Sequence, residues 1–512
     1  MNHKTLPNYV FVEILNYLAR AINNRMVQYK LIEKISLVSK EWRFKILPRI
    51  NFSHVFFYIT NNKRIEELQA LLNRGVRSAF IRINPRAEMK SVEPLHLKHF
   101  QNLKLPKNFN ASRVDIIAYF GDTTITTPHI FIKEILDIFK KIDVLDLENY
   151  NSTTQNLSPN FFGDIRKLEF TNCCITAQDV NDIIEKTKCI SLVLRSTPSY
   201  SIITDDSKQY LMDDIYKYCE TNKTMESLSV YNFYWRGSFG VGLSLINNNT
   251  TLTELNLTNL HGDIPNIKIN NNTIKKFYYD NRTSLQFIRR WDSPSALQSI
   301  NFGLLEEQDI ALVGRNFRSL NSVSVCGDTP VDVIIDLIRL NNPFERFHID
   351  TGDNINFKNH NELVNALLQN NKLKYLHFSI TLPPDALCAF IKSQHPTIRS
   401  LKANIESSTL VQATEVLKYN TTLEKLEFTF EKDSTSERQT IVMDTVIEII
   451  KHNLNLVSLD CLYFDAELQN SQLDQLIQFI DLNPYLIRFS IYKNNKIPKV
   501  LQTFLANKLI DF

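Results

Sequence analysis

The chain has 512 residues, of which 43% are hydrophobic and 22% are charged, and its formal net charge is +3. These proportions are typical of a protein that folds around a hydrophobic core, and they exclude a disordered or collagen-like chain. A nearly neutral chain of this size has no long-range field that would favour nucleic acid or an acidic membrane surface as its main partner.

Residues 1–50 have the spacing of a small helical module. The segments "LPNYVFVEILNYL" and "LIEKISLVSKEWRFKI" carry apolar residues at helical intervals. These residues are Val10, Ile14, Leu15 and Leu18 in the first segment, and Leu31, Ile35, Val38, Trp42 and Ile46 in the second. A core of this size is marginal without further contacts, so the module should either cap the neighbouring domain or bind a partner.

The same module resembles the F-box, whose pattern begins L-P, continues with I-L-x-x-L and ends with L-V-C/S-K/R-x-W. The residues that match it and that we predict to bind an adaptor are Leu6, Pro7, Ile14, Leu15, Leu18, Leu37, Val38 and Trp42. The resemblance implies docking on the Skp-type adaptor of a cullin ubiquitin ligase. A simple capping subdomain is the alternative, and Trp42 would then be a core residue.

From residue 51 to 498 a phrase recurs, of which "NNNTTLTELNL" at residues 247–257 is one copy. Each copy has apolar residues at relative positions 0, +3 and +5. Position 0 is occupied by Ile142, Ile165, Cys189, Met225, Leu252, Ile274, Leu297, Leu320, Phe344, Leu373, Ile398, Leu423, Leu456 and Leu486. Looser copies begin at Phe52, Val76 and Phe100.

The phrase resembles the leucine-rich repeat, L-x-x-L-x-L, whose period is about 20–29 residues. The resemblance implies an α/β solenoid: a horseshoe with parallel strands on its concave face and helices outside, like the ribonuclease-inhibitor subgroup. Because side chains alternate along a strand, the +3 and +5 residues should face the core. The last segment, 499–512, predicts a closing helix that carries Val500, Leu501, Phe504, Leu505 and Leu509.

The segment "DTPVDVIIDLIRLNNP" illustrates the helix of one unit. Thr329 is predicted to cap the helix, and Pro330 suits its first position. Asn341 and Asn342 should end it, since Asn tolerates the left-handed backbone conformation common after a helix. The recurring Asn run is therefore predicted to be the turn between the helix of one unit and the strand of the next.

Residues at +2 and +4 of each unit should face away from the core. Among them, a cationic and aromatic patch is predicted to bind a protein partner through Arg346, His348, Tyr375, His377 and Lys402. Such a patch suits an acidic or phosphorylated segment of the partner. A merely solvated strand face is the alternative.

No catalytic motif is present in the sequence. The cluster "RGSFGVG" at residues 236–242 lacks phosphate-binding spacing and is assigned to a loop between a strand and a helix, while His96 and His99 have no third ligand nearby. The seven Cys form no C-x-x-C pair. We expect no cofactor, no metal, no secretory signal and no membrane span, and hence a soluble protein of a reducing compartment, cytoplasmic or also nuclear.

The sequence therefore predicts a non-enzymatic recognition protein, the substrate-recognition subunit of a Skp–cullin–F-box type ubiquitin ligase that binds an unidentified protein. The alternative is a repeat scaffold for signalling or cytoskeletal proteins without ubiquitin chemistry. A Ran-type GTPase activator also has curved repeats, but its family commonly ends in an acidic tail and this sequence ends in "LANKLIDF".

Overall fold

The structure is a computed structural model. It describes residues 8–21, 25–50, 56–84, 100, 102–117, 128–149, 162–173, 175, 177–195, 211–231, 237–257, 260–263, 265–279, 288–326, 329–340, 343–350, 360–430, 436–462, 469–491 and 498–510. The chain divides into two compact units, Met1–Ile267 and Lys268–Phe512, which are taken in turn. In the part of the chain that the structure describes, no helix combines the length and the apolar character needed to cross a membrane.

The first unit contains a parallel sheet with helices between its strands. The helices are α1 (Asn8–Ala21), α2 (Arg25–Val38), α3 (Asn62–Asn73), α4 (Pro128–Ile138), α5 (Ala177–Lys186), α6 (Leu211–Thr221) and α7 (Phe239–Asn248). The strands are β1 (Phe56–Ile59), β2 (Ser78–Ile83), β3 (Asn110–Ile117), β4 (Val144–Glu148), β5 (Lys167–Thr171), β6 (Ser191–Arg195), β7 (Ser227–Tyr231), β8 (Gly237–Ser238), β9 (Glu254–Leu257) and β10 (Leu260–His261). Strands β1 to β7 and then β9 pair in chain order, each parallel to the next, while β8 and β10 form a separate parallel pair.

The second unit repeats this plan. Its strands are β11 (Lys276–Tyr279), β12 (Ser299–Phe302), β13 (Ser322–Cys326), β14 (Arg346–Asp350), β15 (Tyr375–Thr381), β16 (Ser400–Ile405), β17 (Lys425–Phe430), β18 (Ser458–Leu462) and β19 (Arg488–Ser490). Its helices are α8 (Glu307–Asn316), α9 (Val331–Arg339), α10 (His360–Gln369), α11 (Pro384–Lys392), α12 (Ser407–Leu417), α13 (Ser436–His452), α14 (Asn470–Leu482) and α15 (Lys499–Lys508). All strands from β11 to β19 pair in chain order and in parallel.

The register of the predicted phrase is confirmed. In all fourteen repeats from Ile142 to Leu486 the strand begins two residues after position 0. The fourteen residues at position 0 are all buried, and so are the +3 and +5 residues, such as Leu376 and Phe378. Each of the two compact units is therefore an array of α/β repeats in which strands and helices bury their apolar sides against their neighbours.

Of the three looser copies, that of Val76 has its strand two residues later, that of Phe52 begins outside the described residues, and that of Phe100 was placed wrongly. Phe100 and Leu103 are buried, but they belong to a turn in which the Leu103 N–H donates to the Phe100 carbonyl (2.9 Å). The strand β3 begins only at Asn110 and pairs with β2. Pro106 follows directly after this copy, and since proline has no N–H it cannot complete a strand ladder.

The recurring Asn lies in the turn between a helix and the next strand, as predicted, but without the left-handed backbone expected of it. The φ angles of Asn249 and Asn483 at the ends of α7 and α14 are −79° and −92°, outside the left-handed region. Asn341 and Asn342 lie outside the described residues. The left-handed residues Asn149 and Asn172 follow strands.

The side chain of the recurring Asn connects two neighbouring repeats. This Asn lies three positions before position 0 of its repeat, and we call the residue at that position the rung. In the rung Asn370, the side-chain oxygen accepts from the N–H of Lys372 (2.9 Å) and of Leu373 (3.1 Å), while Nδ2 donates to the carbonyl of Ile338 in the preceding unit (3.3 Å). Asn249 and Asn420 are bonded in the same way.

His395 is the rung of its unit. Its Nε2–H donates to the Leu367 carbonyl (3.0 Å) and its Nδ1 accepts from the N–H of Thr397 and Ile398 (both 3.2 Å). The carbonyl and the two N–H groups fix this tautomer, since one can only accept and the others only donate. His395 is 3% exposed, so the ring is as enclosed as the Asn side chains it replaces.

Two helices begin differently from the prediction. Helix α9 starts at Val331, and the hydroxyl of Thr329, instead of capping it, accepts from the Leu305 N–H of the preceding unit (3.1 Å). In "RGSFGVG", assigned to a loop, Ser238 caps α7 by accepting from the Val241 N–H (3.3 Å), so the residues from Phe239 onward are helical.

The N-terminal module packs on the first strand and helix of the repeats. Helices α1 and α2 and the turns Trp42–Ile46 and Leu47–Arg49 enclose a small core. Its buried members are Val12, Ala19, Val27, Leu31, Ile32, Ile35, Ile46, Leu47 and Ile50. The ring of Tyr29 contacts that of Phe57 in β1 (centroids 5.8 Å apart), and the Arg43 guanidinium donates to the carbonyl of Asn73 in α3 (3.3 Å).

A helix lies in the predicted closing segment. Leu501, Leu505 and Ala506 of α15 are buried, and α15 packs beside α14. Val500, which we placed on the apolar side, is 63% exposed. Leu501 and Leu505 therefore belong to the buried face of α15, as predicted, whereas Val500 does not.

Candidate functional site

Residues at +4 form a continuous row along each sheet, as predicted. In the second unit the backbone pairing places Ser324 beside His348, His348 beside His377, and His377 beside Lys402. In the parallel row at +2, Arg346 lies beside Tyr375. The five residues predicted to bind a partner thus lie together on three neighbouring strands, and we call them the strand-face cluster.

The two histidines of the strand-face cluster are stacked. Their ring centroids are 3.9 Å apart and the planes differ by 4°. The Ser379 hydroxyl lies 2.9 Å from Nε2 of His348 and 3.3 Å from Nε2 of His377, and the Ser324 hydroxyl lies 3.2 Å from Nδ1 of His348. One hydroxyl can donate to one ring and accept from the other, an arrangement that suits two neutral imidazoles.

Burial keeps this pair uncharged at neutral pH. Loss of solvent lowers the pKa of His348, and loss of solvent together with the neighbouring His348 and Lys402 lowers the pKa of His377 to about 3. A second positive charge 3.9 Å from the first would be strongly repelled at low dielectric.

The description of the strand-face cluster as cationic is therefore only partly right. The Lys402 ammonium pairs with the Glu427 carboxylate at 2.6 Å. The Arg346 guanidinium lies over the ring of Tyr375, 4.6 Å from its centroid, and has no carboxylate partner among the described residues. Arg346 is thus the cation of the cluster whose charge no described neighbour compensates.

A groove of about 340 Å³ runs along this part of the sheet. Its lining includes Tyr278, Ser299, Ser322, Ser324, Ser400 and Glu427 besides the strand-face cluster. The Tyr278 and Ser299 hydroxyls are 3.2 Å apart. Its volume is near the lower end of the ~300–1,000 Å³ typical of ligand pockets, which suits one or two side chains of a larger partner.

The first unit presents an acidic counterpart on its own strand face. The Arg113 guanidinium binds three carboxylates, those of Asp115 (2.6 Å), Asp146 (2.7 Å) and Glu169 (2.8 Å). Burial, followed by the neighbouring Asp115, raises the pKa of Asp146 to about 6. Asp146 and Glu169 are the +4 residues of the repeats at Ile142 and Ile165, where the repeat pattern predicts outward-facing side chains. Arg113 could not be found in this way, because the pattern predicts the strand that carries it too early in the chain.

The predicted adaptor-binding residues differ in how much of each side chain is exposed. Ile14, Leu37 and Val38 are 54%, 75% and 58% exposed, while Leu15 and Leu18 are half-buried. Trp42 is half-buried as well, and its ring contacts that of Phe11, with centroids 5.1 Å apart. Leu6 and Pro7 lie outside the described residues.

Sequence reasoning missed two exposed aromatic residues of this module, Tyr9 at 57% and Phe44 at 62%. The Asn8 side chain donates to the Glu41 carboxylate (3.4 Å), which brings the start of α1 to the segment after α2. Tyr9, Leu37, Val38 and Phe44 therefore lie at the same end of the module, and together we call them the module patch. Tyr9 and Phe44 stand outside the F-box pattern, so only their exposure identifies them.

The structure offers no metal centre in its described part, where no group of three or more His, Cys, Asp or Glu side chains is arranged to hold an ion. His96 and His99 lie outside the described residues.

Comparison with known proteins leaves the family open. No protein-family model and no curated protein matches the chain. Among solved structures, it is similar to leiomodin-1 actin-binding site 2, with 15% identity and a TM-score of 0.23 over 29% of this chain and 86% of that chain. It is also similar to a crystal structure of the yeast Rad7 and Elc1 complex, with 12% identity and a TM-score of 0.32 over 90% of this chain and 93% of that chain. Likeness at this level assigns neither a family nor a partner.

Proposed function

We propose that this protein is a non-catalytic, leucine-rich-repeat substrate receptor of a Skp–cullin–F-box type ubiquitin ligase. In this role the N-terminal module docks on the Skp-type adaptor, and the strand face of the repeats binds the protein that is to be modified. The proposal joins the F-box resemblance of residues 1–50 to two features of the fold.

The observation that carries the proposal is the module patch. Its four large apolar side chains are more than half exposed, although the module has a core of its own in which comparable side chains are buried. Exposed apolar side chains scattered singly are common, but a group at one end of a small module is typical of an interaction site. Aromatic and aliphatic side chains of this kind carry much of the binding energy when a partner buries them.

The repeat face supplies the second half of the role. Every strand from β11 to β19 presents its +2 and +4 side chains on the face opposite the buried +3 and +5 positions. Such a face is long, held by backbone pairing and free to vary in sequence without loss of the core. These properties suit recognition of another protein.

The adaptor proposal is tested by co-purification with a Skp-type adaptor. The variant Leu37→Asp with Val38→Asp places charge on the module patch at positions where the side chains are exposed, so the fold should persist. We expect adaptor capture to fall by more than about tenfold, since burying unpaired charge in an interface is costly. Circular dichroism and thermal unfolding verify that the variant is folded.

The matched control is Leu482→Asp with Tyr485→Asp. Both residues are 61% exposed. Leu482 is the last residue of α14 and Tyr485 follows it, so the control should retain adaptor capture. Wild-type protein that captures no adaptor, or a module-patch variant that captures it as well as the control, would rule the proposal out.

A repeat scaffold without ubiquitin chemistry is the second candidate. It is favoured by the contacts of Tyr29 with Phe57 and of Arg43 with Asn73, because these are what a simple cap would make. The same experiment separates the two: a scaffold binds its protein partner while the adaptor stays unbound.

A further inference from the structure

The groove on the second unit combines one uncompensated cation with two uncharged rings. Arg346 has no carboxylate partner among the described residues, while the nearby Lys402 has Glu427. An arginine over a tyrosine ring is held in place and still presents its edge to a planar anion. A carboxylate in the groove would therefore meet Arg346 in the geometry that favours paired hydrogen bonds.

The imidazole pair adds a second property. His348 and His377 are stacked at 3.9 Å, and burial, the neighbouring His348 and Lys402 lower the pKa of His377. The pair therefore holds a proton only when a negative charge lies nearby. Among the described residues the charged and titratable groups around the pair are Asp350, Cys326, Arg346, Tyr375, Lys402 and Glu427. Of the two carboxylates, Glu427 is already paired with Lys402 and Asp350 is exposed.

We propose that the groove binds an extended, carboxylate-bearing peptide segment, with Arg346 as its anion contact, and that the stacked histidines make this binding tighten as the pH falls. The proposal deepens the proposed function by naming the class of target, and it rests on the strand face being the surface that binds the target.

The pH dependence follows from linkage. A carboxylate seated beside the pair stabilises a protonated imidazole, so the complex takes up a proton that the free protein does not hold. A reaction that takes up a proton is favoured by acid. A glutamate side chain has an ordinary pKa of about 4.3, so it keeps its charge at pH 5.5.

The test is direct binding of labelled peptides to the full chain, by fluorescence anisotropy at pH 7.5 and 5.5. The probes are an eight-residue peptide of alternating Ser and Glu, its Ser–Gln counterpart, and a counterpart with phosphoserine in place of Glu. We expect the Glu peptide to bind at least about threefold more tightly at pH 5.5, as one linked proton allows. The Gln peptide should bind weakly at both values.

Two variants divide the roles. Arg346→Gln should weaken the Glu peptide at both pH values by about tenfold, the loss of one charge-assisted pair. The double variant His348→Gln with His377→Gln should bring the ratio of the two Kd values to about 1, because no imidazole of the pair remains to take up the proton. The controls are Lys425→Gln, a cation of the +2 row outside the groove lining, and His452→Gln on α13. Both should behave like the wild type.

Equal binding of the Glu and Gln peptides, weaker binding at pH 5.5, binding of the phosphoserine peptide alone, or no binding of any probe would overturn the proposal. No ligase component takes part in the measurement. The groove can therefore fail while adaptor docking holds, and adaptor docking can fail while the groove binds its peptide.

Discussion

The rung Asn370 shows how one side chain can join two repeats. It is 3% exposed and satisfies two N–H groups of its own unit and one carbonyl of the unit before it. Unsatisfied backbone groups are costly in a buried position. Since the helix of each unit ends where the strand of the next begins, a side chain at this junction stabilises the turn and the stacking together.

We predict that Asn370→Ala lowers the free energy of unfolding by about 2–3 kcal/mol, because two buried N–H groups and one carbonyl lose their partner. The measurement is urea unfolding, with hydrogen exchange at the amide of Leu373 as the local report. The adjacent Asn371 is exposed, so Asn371→Ala is the control and should change the free energy by less than about 0.5 kcal/mol. Similar losses for both variants would contradict this account of the rung.

The sequence revealed that Asn recurs and that it marks a turn, but it did not reveal the bonding. The turn is a local property of the chain, whereas the bond from Asn370 to Ile338 spans 32 residues and exists only once the units are stacked. The charge of a side chain likewise depends on contacts that form only in the folded protein. Arg346 and His377 were placed correctly, yet the neutrality of the imidazole comes from burial and from a neighbour on another strand.

At the scale of the element, the period and spacing of apolar residues were sufficient to predict the strands of the regular repeats. All fourteen clear repeats have their strand at the predicted place, because side chains alternate along a strand and the +3 and +5 residues are therefore buried on the same face. The prediction was wrong at Phe100, where buried residues lie in a turn with the same spacing. Thr329 differed because its hydroxyl found a partner in the preceding unit.

The junction between the N-terminal module and the repeats depends on Gly75. Its φ of +109° is rarely adopted by other residues, and a Cβ there would lie 2.8 Å from the carbonyl oxygen of Arg43. The turn after α3 can therefore approach the module closely only because this residue has no side chain.

We predict that Gly75→Ala destabilises the protein by about 1–3 kcal/mol through backbone strain and displacement of Arg43. Thermal unfolding measures the loss, and limited proteolysis should cut the module before the repeats. Gly240→Ala is the control: a Cβ at this position in α7 would meet nothing within 4 Å, so the change should be neutral or slightly stabilising. Equal stability of both variants would show that the close approach is unimportant.

At the scale of the whole molecule, the pairing pattern makes stability local. Each strand from β11 to β19 pairs with its neighbours in the chain, and helices pack in the same order. The free energy of such a protein is close to a sum of unit and neighbour terms. The predicted horseshoe curvature and the limits 1–50, 51–498 and 499–512 remain predictions.

We predict that Leu505→Ala, in the buried face of α15, loosens the end of the solenoid first. Hydrogen exchange should accelerate by more than about tenfold in β18 and β19, since removing a buried Leu side chain costs about 2–5 kcal/mol. Exchange in β12 and β13 should be unchanged. Val500→Ala, at an exposed position of the same helix, is the control. Uniform acceleration across the second unit would mean that the repeats unfold as one body.

The substitution of histidine for asparagine at rung 395 has a consequence for the solenoid in acid. The ring needs a bare Nδ1 to accept from Thr397 and Ile398, and a second proton would abolish both bonds. Burial lowers the pKa of His395, so the folded form holds this proton less readily than the unfolded chain, and stability is lost as the pH falls below the ordinary value of about 6.5. The contact between the repeats of Leu373 and Ile398 is thus sensitive to acid. At mildly acidic pH these two repeats should separate before the repeats that are joined by the side-chain amide of an Asn.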